Sequence, residues 1–160
     1  MARAKVPATP AIRLLKKHKV KFISRPYKYE DKGGTRTSAK ELLVDEHIVI
    51  KTLVMEDDQH RPLIVLMHGD CEVSLKHLAR QLKVKKITPC ATDKAESLSG
   101  YQTGGISPLG LRQPLPIFME ETIASLEKMI VNGGRRGLLV ELAPHDLTAI
   151  LHPTLVSVAI

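Results

Sequence analysis

Residues 48–67 read IVIKTLVMEDDQHRPLIVLM: two apolar, β-branched runs, 48–55 and 63–67, on either side of the polar segment 56–62. Runs of this length and composition bounding a polar turn predict a β-hairpin. On the first strand, Ile48, Ile50, Thr52 and Val54 fall on one face, and Val49, Lys51, Leu53 and Met55 on the other. Both faces are apolar, the pattern of a strand covered on each side. Lys51 is the exception, a cation set among hydrophobic neighbours.

Towards the N-terminus, Thr9-Pro10 opens a helix predicted through Lys17, with Thr9 as N-cap and Pro10 at the first helical position. Residues 20–29 read as a strand that Pro26 confines to an edge. DKGGTR, residues 31–36, is a turn, and Ser38 and Glu41 have capping-box spacing ahead of a short helix over 39–44. Towards the C-terminus, Ser74 caps an amphipathic helix carrying Leu75, Leu78, Ala79 and Leu82 on one face. Short strands are predicted over 86–88, 117–120, 129–132 and 138–142, and a last helix from Pro144 to about Leu151. Strands cluster with helices between them and do not alternate strictly as βαβ. That predicts an α+β fold, one domain over 1–160, on a mixed, curved β-sheet surrounded by helices.

The 160 residues suit one domain, and no apolar run is long enough to span a bilayer. MARAKVPATPAIRLL at the N-terminus is basic but lacks the apolar core of a signal peptide, and two cysteines make no disulfide framework. A cytoplasmic protein with no membrane association is the expectation. Lys and Arg outnumber Asp and Glu by 24 to 17, a net charge of +7 that favours a polyanionic partner. With no Trp, three Tyr and two Phe, a platform stacking several bases is not expected. An RNA partner would be held by its phosphates and one terminal nucleotide.

Three places could carry chemistry. Lys51 either pairs with an acidic side chain or snorkels from a strand end, or else meets an anionic ligand. GYQTGGISPLG, residues 100–110, has adjacent glycines, Gly104 and Gly105, where a ligand could approach the backbone and its amides. The same composition also makes a plain tight connection. It is neither a P-loop, since no Gly-Lys-Ser/Thr closes it, nor a dinucleotide fingerprint. NGGRRG, residues 132–137, is either a hairpin turn with solvated arginines or a phosphate grip. His68-x-x-Cys71 has ligand-like spacing but no second Cys/His pair beside it, so no metal or cofactor is expected. Ser107 has no evident base, and no Ser–His–Asp triad can be assembled. Asp146 fits the first turn of the last helix, where a carboxylate suits the dipole.

Together GYQTGGISPLG, VNGGRRG with the following LLVELAPHDL, IKTLV, and the N-terminal TPAIRLLKKHKVKF with RPY resemble the YbaK/EbsC family of prolyl-tRNA-editing-like deacylases. The resemblance runs over residues 9–151 in the family's order. It implies the fold of the editing domain inserted in bacterial prolyl-tRNA synthetases, a mixed, partly closed β-sheet with helices around it. It also implies cleavage of the ester joining a wrong amino acid to tRNA, in the YbaK branch cysteine on proline tRNA, with the substrate's own thiol attacking its carbonyl. By position, Lys51 matches the family's strand lysine and would meet the terminal phosphate of the aminoacyl-tRNA 3′ end, with Tyr27 holding the terminal nucleotide. Gly104 and Gly105 would let the aminoacyl group lie against the backbone, with Ser107 on the same wall. Gly133, Gly134 and Arg135 match the second loop, and Asp146 a helix-start acid near the pocket. A prolyl-tRNA synthetase is the protein partner this implies. Family members often carry a phenylalanine–glycine–acid segment before the second helix; this chain has GGTRTSAKEL, residues 33–42, which leaves deacylation of Ala- or Ser-tRNA, or a non-catalytic nucleotide-binding role, as alternatives.

Overall fold

The hairpin forms in the computed structural model, which describes residues 7–160. Strand β2 (Ile50–Asp57) pairs antiparallel with β3 (Pro62–His68), from Ile50 opposite His68 to Glu56 opposite Pro62. Its turn is closed by Asp57, whose Oδ1 accepts from the amides of Gln59 and Arg61 while Oδ2 accepts from Arg61 Nε at 2.7 Å. The basic segment MARAKV at the N-terminus lies outside the described residues.

Around the hairpin stand α1 (Pro10–Lys17), β1 (Ile23–Pro26), α2 (Gly34–Leu42), α3 (Leu75–Leu82), β4 (Ile87–Pro89) and α4 (Thr92–Ser99). They are followed by β5 (Ile117–Glu120), β6 (Met129–Arg135), β7 (Leu138–Leu142), α5 (Pro144–Leu151) and β8 (Thr154–Val156). The larger sheet has the order β4-β2-β3-β5-β8 and is mixed: β3 and β8 run parallel to β5, while β4 and β3 run antiparallel to β2. The smaller sheet, β1-β7-β6, is antiparallel. A single parallel bridge, Val49 to Ile130, joins them at the start of β2.

That bridge creates the gap on which the site depends. One edge of β2 is taken by β3 throughout. The opposite edge meets β6 at Val49 and β4 only from Met55 to Asp57. Between them, among the described residues, no strand pairs with that edge at residues 50–53. The two sheets splay apart there without closing into a barrel.

The two-faced apolar pattern of the hairpin has a packing counterpart. Ile50, Val54, Ile64 and Leu66 enter the main core with Ile12, Leu15, Met119, Val140 and Leu147. Met55, Leu63, Val65 and Met67 enter a second core on the other face with Leu78, Ile87 and Val156. Thr9 caps α1, its Oγ1 accepting from the Ile12 amide at 3.1 Å, and Ser74 caps α3. The capping box at Ser38 and Glu41 does not form. Helix α2 starts at Gly34, which puts Ser38 inside it, buried, its hydroxyl donating to the Thr35 carbonyl at 3.1 Å. Helix α4 and strand β8 were not expected from the sequence: α4 buries only Ala95 and Ser99, and β8 has three residues. No helix among the described residues is long and apolar enough to cross a membrane.

Candidate active site

The gap at the edge of β2 opens into a cleft of about 390 Å³. Residues 49–53, Lys51 among them, line it. Lys51 keeps 21 % of its side chain exposed, and its Nζ lies 3.7 Å from Glu72, a carboxylate 83 % exposed. So exposed and hydrated a partner neutralises little of the charge. The ammonium therefore remains available to an anion entering the cleft.

The 101–110 segment divides into two halves with different work. Thr103, Gly104 and Ile106 line the cleft. Gly104 has φ +90°, and a Cβ there would fall 2.5 Å from the Tyr29 hydroxyl. Both the left-handed backbone and the tight approach of the ring demand glycine. Gly105 is buried against the β6–β7 turn, where a Cβ would lie 2.8 Å from the Arg136 amide nitrogen. Its own N–H already donates to the Gln102 carbonyl at 2.8 Å. The second half faces inward. Ser107 is fully buried, its hydroxyl accepting from the Leu109 amide at 3.2 Å. Tyr101 donates its hydroxyl to the Leu109 carbonyl at 2.7 Å, and burial pushes the phenol up to about 12, so it stays a neutral donor.

The β6–β7 turn is tied to this loop by Asn132. Its Oδ1 accepts from the amides of Gly134 at 2.7 Å and Arg135 at 3.2 Å, while Nδ2 donates to the Gly104 carbonyl at 3.1 Å. Arg136 adds a second tie: Nε donates to the Thr103 carbonyl at 2.8 Å, and the guanidinium lies over the Tyr29 ring, 5.1 Å from its centroid. Tyr27 and Tyr29 complete that wall. Burial, then the neighbouring Tyr29, raises the Tyr27 phenol, which stays protonated as a donor. Thr35 and Ser38 of α2, with Asp31 and Lys32 just before it, also line the cleft.

Of the residues singled out in the sequence, Tyr27, Lys51 and Gly104 line the cleft together. Gly105 sits behind them. Ser107, Gly133, Gly134, Arg135 and Asp146 are not on its walls. Gly133 packs on Leu138 and accepts from Thr9 Oγ1, and Gly134, at φ +92°, packs on the Tyr101 ring. Arg135 is exposed, and Asp146 lies in the first turn of α5, 3.3 Å from His145. Reading the sequence missed Asn132, Arg136, Tyr29 and Thr52. The first two stood inside the quoted turn, where the composition signal did not distinguish one arginine from the other. No histidine or cysteine lines the cleft among the described residues.

Residues 31–150 match the model of the aminoacyl-tRNA editing domain family. A protein of Enterococcus faecalis, named provisionally as the Cys-tRNA(Pro)/Cys-tRNA(Cys) deacylase EbsC, is 30 % identical over 143 residues, 89 % of this chain and 87 % of that protein. A proline–tRNA ligase of Limosilactobacillus reuteri is 25 % identical over 104 residues, 62 % of this chain but only 18 % of the ligase. Among solved structures, a protein described as hypothetical superposes with a TM-score of 0.85 at 20 % identity, covering 94 % of this chain and 99 % of its own. A protein described provisionally as a trans-editing enzyme for prolyl tRNA synthetase gives 0.80 at 18 % identity, covering 96 % and 98 %. The last two likenesses concern the fold alone.

Proposed function

Because the chain belongs to the aminoacyl-tRNA editing domain family, and to its YbaK/EbsC branch of deacylases, we propose that it removes cysteine mischarged on proline tRNA, acting in trans. The observation that carries this reading is the cleft itself: Lys51, paired only with an exposed carboxylate, and Gly104 of the glycine loop line one opening beside an uncovered strand edge, with no histidine or cysteine on the walls. Such a site can hold an anionic, ester-bearing end, and the hydroxyls of Thr35 and Ser38 on its walls are engaged with Glu46 and with backbone carbonyls, so the nucleophile is assigned to the substrate.

In the proposed reaction Lys51 binds the phosphate of the terminal nucleotide, and Tyr27 and Tyr29 hold that nucleotide against the wall. Gly104 lets the ester approach the loop backbone, while Gly105, its amide engaged with Gln102, sets the spacing between loop and turn. The substrate thiol attacks its own carbonyl carbon. A carbon–sulfur bond forms as the ester carbon–oxygen bond breaks, and the thiol proton ends on the released ribose hydroxyl. Ser107, Gly133 and Gly134 support this geometry from behind, while Arg135 lies exposed at the end of β6 and Asp146 in the first turn of α5. A prolyl-tRNA synthetase is the partner proposed to supply tRNA identity.

The test is a side-by-side assay of Cys-, Ala- and Ser-tRNA(Pro) and Cys-tRNA(Cys). Turnover confined to the thiol-bearing substrates is the expected result. Equal rates on alanyl or seryl esters would remove the thiol from the mechanism, and stoichiometric protection without turnover would make the chain a binding module.

A further inference from the structure

The end of β3 delivers a cluster that the cleft does not use. His47 lies in the 3₁₀ turn Glu46–Ile48, and Asp70 and Cys71 follow β3. His47 Nδ1 is 2.8 Å from Asp70 Oδ1, Cys71 Sγ is 3.5 Å from the same oxygen, and the three donor atoms lie within 4.8 Å of one another. Zinc held by nitrogen and oxygen at roughly 2.0–2.2 Å and by thiolate sulfur at about 2.3 Å, near tetrahedral angles, separates its ligand atoms by about 3.3–3.7 Å. Small side-chain rotations bring these three donors onto one ion.

The trio is held in place by groups that are not themselves ligands. The His47 ring stacks on His68, centroids 3.7 Å apart and planes 6° from parallel. His68 is buried, with Nδ1 at 2.7 Å from the His47 carbonyl oxygen and Nε2 at 2.7 Å from Thr122 Oγ1. Both its nitrogens are engaged, so His68 orients His47 and does not compete for the ion. A Cβ on Gly69 would lie 2.7 Å from the carbonyl oxygens of both Glu46 and Val49, so only glycine lets the end of β3 pack directly on the turn that carries His47. Thr35 Oγ1 bonds Glu46 Oε2 at 2.8 Å and the Gly69 carbonyl at 3.2 Å, closing the same junction.

Cys71, half-buried, packs against the second core and turns its sulfur to Asp70, beside the imidazole of His47. A divalent ion binding there displaces the thiol proton, as thiolate ligation requires. A carboxylate, an imidazole and a displaceable thiol form a mixed hard and soft donor set suited to zinc and not to magnesium.

We propose that His47, Asp70 and Cys71 bind one zinc-class divalent ion, with water in the fourth position. The ion clamps the 3₁₀ turn, and with it the start of β2, to the loop after β3.

The experiment titrates tag-free, metal-stripped full chain with Co²⁺ and then Zn²⁺. One equivalent of Co²⁺ is expected to give a thiolate-to-cobalt charge-transfer band with tetrahedral d–d absorption, both displaced by Zn²⁺. Zn²⁺ is expected to raise the melting temperature where Mg²⁺ does not. Cys71→Ser abolishes the charge-transfer band, and Cys90→Ser leaves it intact. His47→Gln and Asp70→Asn weaken binding beyond the roughly 10–100-fold typical of outer-shell changes. Melting of each variant without metal verifies its fold. Absence of the band at one equivalent, or its survival in Cys71→Ser, overturns the proposal. Neither readout depends on deacylation, so the two readings stand or fall separately.

Discussion

Lys51 has a carboxylate within reach, yet that pair cannot be what keeps a cation on an apolar strand. Glu72 is 83 % exposed, and exposed pairs contribute only about 0–1 kcal/mol. The variants should therefore diverge. Glu72→Ala is expected to leave both melting temperature and deacylation near the parent values. Lys51→Ala should lose deacylation in single-turnover assays while its melting temperature stays within the same narrow range. Equal, small effects of both would return Lys51 to the role of a surface ion pair. The sequence exposed this residue because a lysine broke an apolar pattern on both faces of one strand. Ser107 had no such contrast. It stood in the same glycine-rich segment as Gly104, but it is fully buried and its hydroxyl accepts from the Leu109 amide. Spacing along a loop does not tell which of its residues faces the cleft.

At the level of elements, what could be read was what periodicity encodes. The β2–β3 hairpin, α1 and α3 have strong apolar patterns and side-chain caps, and all three form. The start of α2 could not be read, because Ser38 offers its hydroxyl equally well to a cap or to a carbonyl one turn back. In the β6–β7 turn, the register shifts between Asn132 and Arg135. An irregularity of this kind re-aims side chains, and here Arg136, not Arg135, reaches the cleft. Asn132 sits at that shift and joins turn to loop, so its two ends can be separated by substitution. Asn132→Ala removes the acceptor for two amides and is expected to cost about 1–3 kcal/mol in denaturant melts. Asn132→Asp keeps that acceptor but sets a carboxylate oxygen against the Gly104 carbonyl. Its melting behaviour should stay closer to the parent while kcat/KM falls. If Asn132→Asp is fully active, the tie to Gly104 does not position the loop for catalysis.

Over the whole molecule, the excess of positive charge acts together with the shape of the cleft. The net charge of +7 is spread over the chain, but the uncovered edge of β2 gathers Lys51, Lys32 and Arg136 around one opening. Asp31 is the acidic residue on that wall among the described residues. A cationic cleft with apolar flanks concentrates field lines and draws in a polyanion. Each phosphate held by a single-stranded end contributes a slope of about −0.7 in log K against log salt. Two or three such contacts therefore predict a slope of roughly −1.4 to −2.1 for log kcat/KM, measured below saturation with aminoacyl-tRNA. Arg136→Ala should flatten that slope by about one contact's worth if the guanidinium meets a phosphate, and leave it unchanged if its role is confined to the Thr103 carbonyl and the Tyr29 ring. Melting temperatures over the same salt range distinguish weaker binding from a weaker fold. A flat profile in the parent protein would point to a small, uncharged ester in place of a nucleic acid end. A steep one, lost stepwise with the cleft cations, would tie the family's chemistry to this opening in the sheet.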